Sequence, residues 1–108
     1  MTRDLFHILT PAAWDAARAA GTYAPPSLES EGFIHLSTAA QVVDTANRFY
    51  GAAPELLVLV VPEPEDALRW EEGEPGELFP HLYRSLPVAE VREVRRLERE
   101  GGVWARVG

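Results

Sequence analysis

The stretch Glu55-Leu56-Leu57-Val58-Leu59-Val60-Val61 constrains this chain more than any other. A strand with one wet face alternates apolar and polar residues, whereas a strand covered on both faces reads as an unbroken apolar run. The run therefore predicts the middle strand of a sheet, buried on both sides. A chain of 108 residues has room for one compact domain, residues 1–108, and little more.

The other elements follow from local chemistry. Leu5-Phe6-His7-Ile8-Leu9 predicts a first strand, with His7 on the face opposite Phe6 and Ile8. Thr10-Pro11 opens a helix well, because the hydroxyl caps free amides and proline fits the first helical position. That helix runs over residues 12–20, with Trp14 and Ala17 on one side and Gly21 as its stop. Residues 22–30 contain Pro25-Pro26 and read as an extended connection. A strand over residues 33–37 comes next, and Thr38 with Gln41 matches a capping box. The second helix follows over residues 39–50, with Val42, Val43, Ala46 and Phe49 at helical spacing and Gly51 as its stop.

Beyond the apolar run, residues 62–66 read as a turn, Leu68-Arg69-Trp70-Glu71 as a half-exposed strand, and residues 71–77 as an acidic surface loop. After Val88 two readings stand. Val91, Val94 and Leu97 stripe a helix, or they belong to a charged edge strand entered through one helical turn at Val88-Ala89-Glu90. Gly101-Gly102 leads into a final strand over residues 103–107. Strands mixed with two main helices make an α+β domain with a largely antiparallel sheet.

Charge and composition narrow the function. Seventeen acidic against ten basic side chains give a net charge of −7. Such a surface repels phosphate backbones, which argues against broad nucleic-acid binding and leaves a small ligand held at a local basic spot. The chain has no cysteine, so disulfides, thiolate metal sites and cysteine nucleophiles are excluded. Met1-Thr2-Arg3-Asp4 lacks the apolar run of a signal peptide or membrane span, and the chain reads as cytoplasmic with no membrane attachment. Nothing in the pattern sets an oligomeric state.

The chemistry concentrates in two stretches. In Glu31-Gly32-Phe33-Ile34-His35-Leu36-Ser37-Thr38, strand alternation puts Phe33, His35 and Ser37 on one face and Ile34 and Leu36 on the other. Phe79-Pro80-His81-Leu82-Tyr83 repeats the theme. The three histidines, His7, His35 and His81, all lie in apolar or aromatic runs. One such histidine is more often a hydrogen-bonded core residue than a catalyst. Three, with hydroxyls at Ser37, Thr38 and Tyr83, point to a shared pocket at strand ends. No His-x-His or His-Glu-x-x-His spacing occurs, so no metal site is expected. A Ser-His-acid hydrolase needs an exposed serine, and Ser37 lacks the Gly-x-Ser-x-Gly elbow; helping Thr38 cap the next helix is its blander role. Arg48 is the basic group closest in sequence to the first stretch and a candidate phosphate contact. The expected catalytic pair is His35 and His81, with His7, Ser37, Thr38, Arg48 and Tyr83 in ligand binding.

Glu31-Gly32-Phe33-Ile34-His35-Leu36-Ser37-Thr38-Ala39-Ala40-Gln41-Val42, Thr45-Ala46-Asn47-Arg48-Phe49-Tyr50 and Phe79-Pro80-His81-Leu82-Tyr83 closely resemble a bacterial family known as domain of unknown function 952. The likeness runs over about residues 6–94. By fold, that family is grouped with ADP-ribosyltransferase-like proteins, which bind NAD in the cleft of a split, largely antiparallel β-sheet. The resemblance implies no permanently bound cofactor, with NAD as a substrate, and a small-molecule, nucleotide-like partner. It places His7 on the first strand at the ribose, Ser37 near the nicotinamide ribose, and His81 with Tyr83 at the third position. That position usually carries a glutamate; here Glu77 is the nearest acid in sequence. A histidine there also suits RNA 2′-phosphate transfer, which calls for more basic residues than this chain has. Arg84 stands where the family pattern has glycine, so the turn differs there or the guanidinium meets ligand. The two readings that follow are a diverged NAD-using transferase and a non-catalytic nucleotide or small-metabolite binding module.

Overall fold

The computed structural model describes residues 3–108; Met1 and Thr2, the start of the polar N-terminus, lie outside the described residues. The chain begins with β1 (Asp4–Leu9), α1 (Pro11–Ala20), β2 (Thr22–Tyr23), α2 (Pro26–Ser30) and β3 (Ile34–His35). It continues through α3 (Val42–Phe49), β4 (Leu57–Pro62), β5 (Leu68–Glu74), β6 (Glu77–Leu82) and β7 (Leu86–Pro87). A 3₁₀ turn (Val88–Glu90) then leads into β8 (Glu93–Glu100) and β9 (Val103–Val107). The architecture is α+β, and among the described residues every strand pairing is antiparallel.

The apolar run forms β4, which lies inside a four-stranded sheet ordered β1-β4-β8-β9. Its two faces feed two cores. Leu59 and Val61 join Leu5, Leu9, Ala17 and Ile34, while Leu56 and Val58 join Ile8, Val42, Ala46, Leu97 and Trp104. Truncating one of these fully buried leucines to alanine costs about 2–5 kcal/mol, transfer and cavity terms together. Because the strand is buried on both sides, its sequence cannot alternate.

A second sheet of three strands, ordered β3-β6-β5, meets the first at one point. β3 pairs with β6 through Ile34↔Leu82 and His35↔His81. Two residues later, Ser37 exchanges both backbone hydrogen bonds with Phe6 of β1, at 2.7 and 2.8 Å. The expected strand over residues 33–37 is thus a short segment that changes partner midway. Its alternation survives: Ile34 and Leu36 are buried in the core, and Phe33 and His35 project from the other face.

Thr10 Oγ1 accepts the Ala13 amide, Pro11 is the first helical residue, and Gly21 ends α1. Four expectations need correction. The connection over residues 22–30 contains the five-residue α2, because Pro26 sits in its first turn, where no amide donor is needed. The second helix is shorter than residues 39–50. Thr38 and Gln41 first form a turn, the Gln41 side chain accepting the Thr38 amide at 3.0 Å, and α3 starts at Val42. Residues 71–77 are no free loop but the two arms of the β5–β6 hairpin, with Pro75 and Gly76 at its tip. Gly76 has φ of 80°, which this turn requires and proline before it favours. After Val88 the reading of one helical turn followed by a strand holds, with a 3₁₀ turn over Val88–Glu90, but β8 is interior, between β4 and β9, not an edge.

Candidate functional site

The junction of the two sheets leaves a cleft of about 290 Å³ between α3 and the β5–β6 hairpin. His7 and Ile8 of β1, His35 and Ser37 of the switching segment, Arg48 and Phe49 of α3, and Phe79 and His81 of β6 all line it. Five of the seven expected site residues therefore share one cavity: His7, His35, Ser37, Arg48 and His81. Thr38 and Tyr83 do not line it. Thr38 serves the turn into α3, and Tyr83 stands behind His81.

His35 and His81 are direct cross-strand partners, with ring centroids 5.4 Å apart. Each carries its own glutamate. His81 Nδ1 lies 2.8 Å from Glu71 Oε1, and His35 Nε2 lies 2.5 Å from Glu31 Oε2. A carboxylate only accepts, so these nitrogens bear protons and donate, which leaves His81 Nε2 and His35 Nδ1 as the second nitrogen of each ring. Phe33 stacks on the His81 ring at 4.0 Å, fixing its plane. His81 is 7% exposed, whereas the His35 side chain is half exposed.

Glu71 accepts the Tyr83 hydroxyl at 2.6 Å on the oxygen that His81 uses. The Tyr83 hydroxyl, then His81, hold the Glu71 carboxyl below its ordinary range, and Glu71 in turn raises the Tyr83 phenol. Sequence reasoning missed Glu71 by placing it where a short strand gives way to a surface loop. The signal was Pro75-Gly76 between two strand-like runs, which predicts a hairpin and puts Glu71 beside His81. Glu77, the nearest acid in sequence to the motif, instead accepts from Gln41 at the hairpin tip.

His7 is buried and committed internally. Its Nδ1 lies 2.6 Å from the His35 carbonyl, and its Nε2 lies 2.7 Å from the Tyr23 hydroxyl. The carbonyl can only accept, so Nδ1 carries the proton and the tyrosine donates to Nε2. Burial lowers the His7 pKa to about 4 and pushes the Tyr23 phenol above its ordinary value. The ring is neutral and holds the backbone of β3 in place.

Arg48 is paired with Glu74 of the hairpin, and the Gln41 amide donates to the Leu78 carbonyl at 2.8 Å. These contacts clasp α3 to the hairpin at both ends of the cleft. Arg84 lies elsewhere. It spans Asp66 and Glu90, donating to both carboxylates, and so ties the loop before β5 to the 3₁₀ turn. Among the described residues, no three histidine, aspartate or glutamate side chains gather in a metal-binding group. No helix among them is long and apolar enough to cross a membrane.

Fold and site define a small α+β protein with mostly antiparallel sheets and a cleft lined by three histidines. The chain belongs to the family described as "Protein of unknown function (DUF952)", whose profile matches residues 8–94. It is similar to protein CC0527 from Caulobacter crescentus. The crystal structure of that protein is 37% identical, with a TM-score of 0.84 over 94% of this chain and 93% of that one. Its solution NMR structure gives 38% identity and a TM-score of 0.79 over 93% and 90%. No curated protein matches the chain.

Proposed function

We propose that the cleft takes the sugar–base end of NAD or of an ADP-ribosyl group, and that the protein is a diverged ADP-ribosyltransferase-like enzyme. The observation that carries this reading is the Glu71–His81 pair, a buried imidazole oriented by a carboxylate at 2.8 Å. Breaking the bond from nicotinamide to ribose sends the electron pair to the ring nitrogen and leaves an oxocarbenium-like sugar. A nearby carboxylate offsets that positive charge, and Glu71 supplies one. The attacking acceptor then loses its proton to His81 Nε2, while His35 is the second polar group at the reacting end. Ser37 contacts the ribose, and His7, with both nitrogens engaged, positions the strand that carries Ser37. At about 290 Å³ the cleft is at the small end of ligand pockets, which run to roughly 1,000 Å³. It suits one nucleoside-sized unit, with the pyrophosphate left at the mouth near Arg48.

Titrating the protein with NAD and ADP-ribose while following the three histidine ring signals by NMR tests the reading. His35 and His81 shift together and saturably, and nicotinamide is released. Saturable shifts without release assign a non-catalytic nucleotide-binding module. If neither ring moves at millimolar ligand, the NAD reading fails.

A further inference from the structure

We infer that the cleft selects a compact organic cation whose charge is masked by alkyl groups, as in a quaternary ammonium. Two independent features point there. The first is the wall: Phe33, Phe49, Tyr50 and Phe79 are all among the residues that line the cavity. Aromatic faces attract cations within about 6 Å of the ring centre. The protein already makes such a contact at the cleft, where the Arg48 guanidinium carbon lies 5.4 Å from the centre of the Phe49 ring.

The second feature is charge. The charged side chains lining the cleft are Arg48, Glu72 and Glu74. Arg48 is neutralised by its pair with Glu74, leaving Glu72 uncompensated. Glu31 and Glu71 add two carboxylates directly behind the histidines. Inside the cavity a cation gains field and ring contact together, whereas an anionic group is left at the mouth, beside Arg48. A bare ammonium is strongly hydrated and would lose that water against apolar walls, so an alkylated cation fits better.

The inference rests on the cleft being a ligand site, and not on ribosyl chemistry. The experiment compares choline with its neutral isostere 3,3-dimethylbutan-1-ol, following the Phe33, Phe79 and His81 ring signals by NMR, with ADP-ribose titrated separately. Choline binds about three- to tenfold more tightly than the alcohol, the range of a partly exposed cation–π contact. Phe49 is 68% exposed, so Phe49→Leu leaves the fold intact and removes a π face. Glu72 accepts the Gly76 amide, and Glu72→Gln keeps that acceptor while removing the charge. Each variant weakens choline severalfold and leaves the alcohol unchanged. Equal affinity for choline and the alcohol, or equal losses for both in the variants, overturns the inference. Binding of ADP-ribose with silence toward choline also overturns it while sparing the NAD reading. Choline binding with silence toward ADP-ribose supports it and removes the NAD reading.

Discussion

Glu71 lies 2.8 Å from His81, on the neighbouring strand, and the same oxygen receives the Tyr83 hydroxyl. The tyrosine is the larger cause of the lowered Glu71 pKa. A depressed carboxyl contributes stability above its unfolded value and loses it as pH falls through the folded one. Tyr83→Phe therefore moves the Glu71 titration up toward the ordinary range, read from its side-chain carboxyl NMR signal. An unchanged Glu71 titration in that variant would show that Tyr83 does not hold it. If the cleft is catalytic, His81→Ala lowers nicotinamide release by about 100-fold or more. Glu71→Gln lowers it as well, since it removes both the charge that offsets the sugar and the one that orients the imidazole.

The buried His7–Tyr23 pair makes the fold acid-sensitive. The folded pKa of about 4 lies below the ordinary histidine value of 6.5, so the unfolded chain takes up the proton first. Stability is unaffected above pH 6.5, falls as pH drops from 6.5 toward 4, and is flat below. The loss over that window is roughly 3 kcal/mol, at about 1.4 kcal/mol for each pH unit between the two values. Urea unfolding between neutral pH and about pH 4 measures it. The variant His7→Asn, though less stable at neutral pH, loses this part of the slope; an identical slope in both proteins places the acid sensitivity elsewhere. Tyr23→Phe leaves His7 Nε2 buried without its donor and costs about 1–3 kcal/mol at neutral pH.

The parts of this fold that were legible in the chain were those set by local chemistry. Residues 56–61 reveal their double burial because a two-faced strand has no room for polar residues. Thr10, Pro11 and Gly21 mark both ends of α1, and the alternation across 33–37 places the histidine face. The rest depends on partners distant in sequence. Glu71 was hidden because acidic residues mask a hairpin whose inner strand, β6, pairs on both sides. Tyr23 gives no local sign that it meets His7. In β8 only Leu97 is buried, so no strand alternation shows, while the spacing of three at Val91, Val94 and Leu97 suits a helix. What decides there is β4, whose backbone needs a ladder partner on its second edge. Arg84 could not be assigned from its own position either; Asp66 and Glu90 give it a structural task away from the cleft.

Arg48 and Glu74 cancel each other at the cleft, and that pair sets how the site treats anions. Glu74→Gln frees the guanidinium for phosphate while keeping a polar side chain at the hairpin. ADP-ribose affinity rises about three- to tenfold, in line with the gain from about one added charge-assisted contact. The gain weakens with salt, because both side chains are partly exposed. Arg48→Ala does the opposite. Calorimetric titration of both variants checks this, and an affinity that Glu74→Gln leaves untouched would remove Arg48 from any phosphate contact.

Gly73 owes its place to Phe79. A Cβ built on Gly73 would stand 2.6 Å from Cδ1 of the Phe79 ring, closer than carbon atoms approach. The ring lies against bare backbone where β5 shifts register between Glu72 and Glu74. In Gly73→Ala the ring must tilt away, and because Phe79 lines the cleft, that movement alters the cavity. The overpacking costs about 1–3 kcal/mol of stability. Any ligand of the cleft then binds more weakly, while the His7–Tyr23 pair, which joins β1 to β2, keeps its acid response. The Phe79 ring shifts in the NMR spectrum report the tilt directly. Wild-type ring shifts and affinity in Gly73→Ala would mean that the hairpin backbone yields instead, and that the glycine serves the bulge rather than the ring.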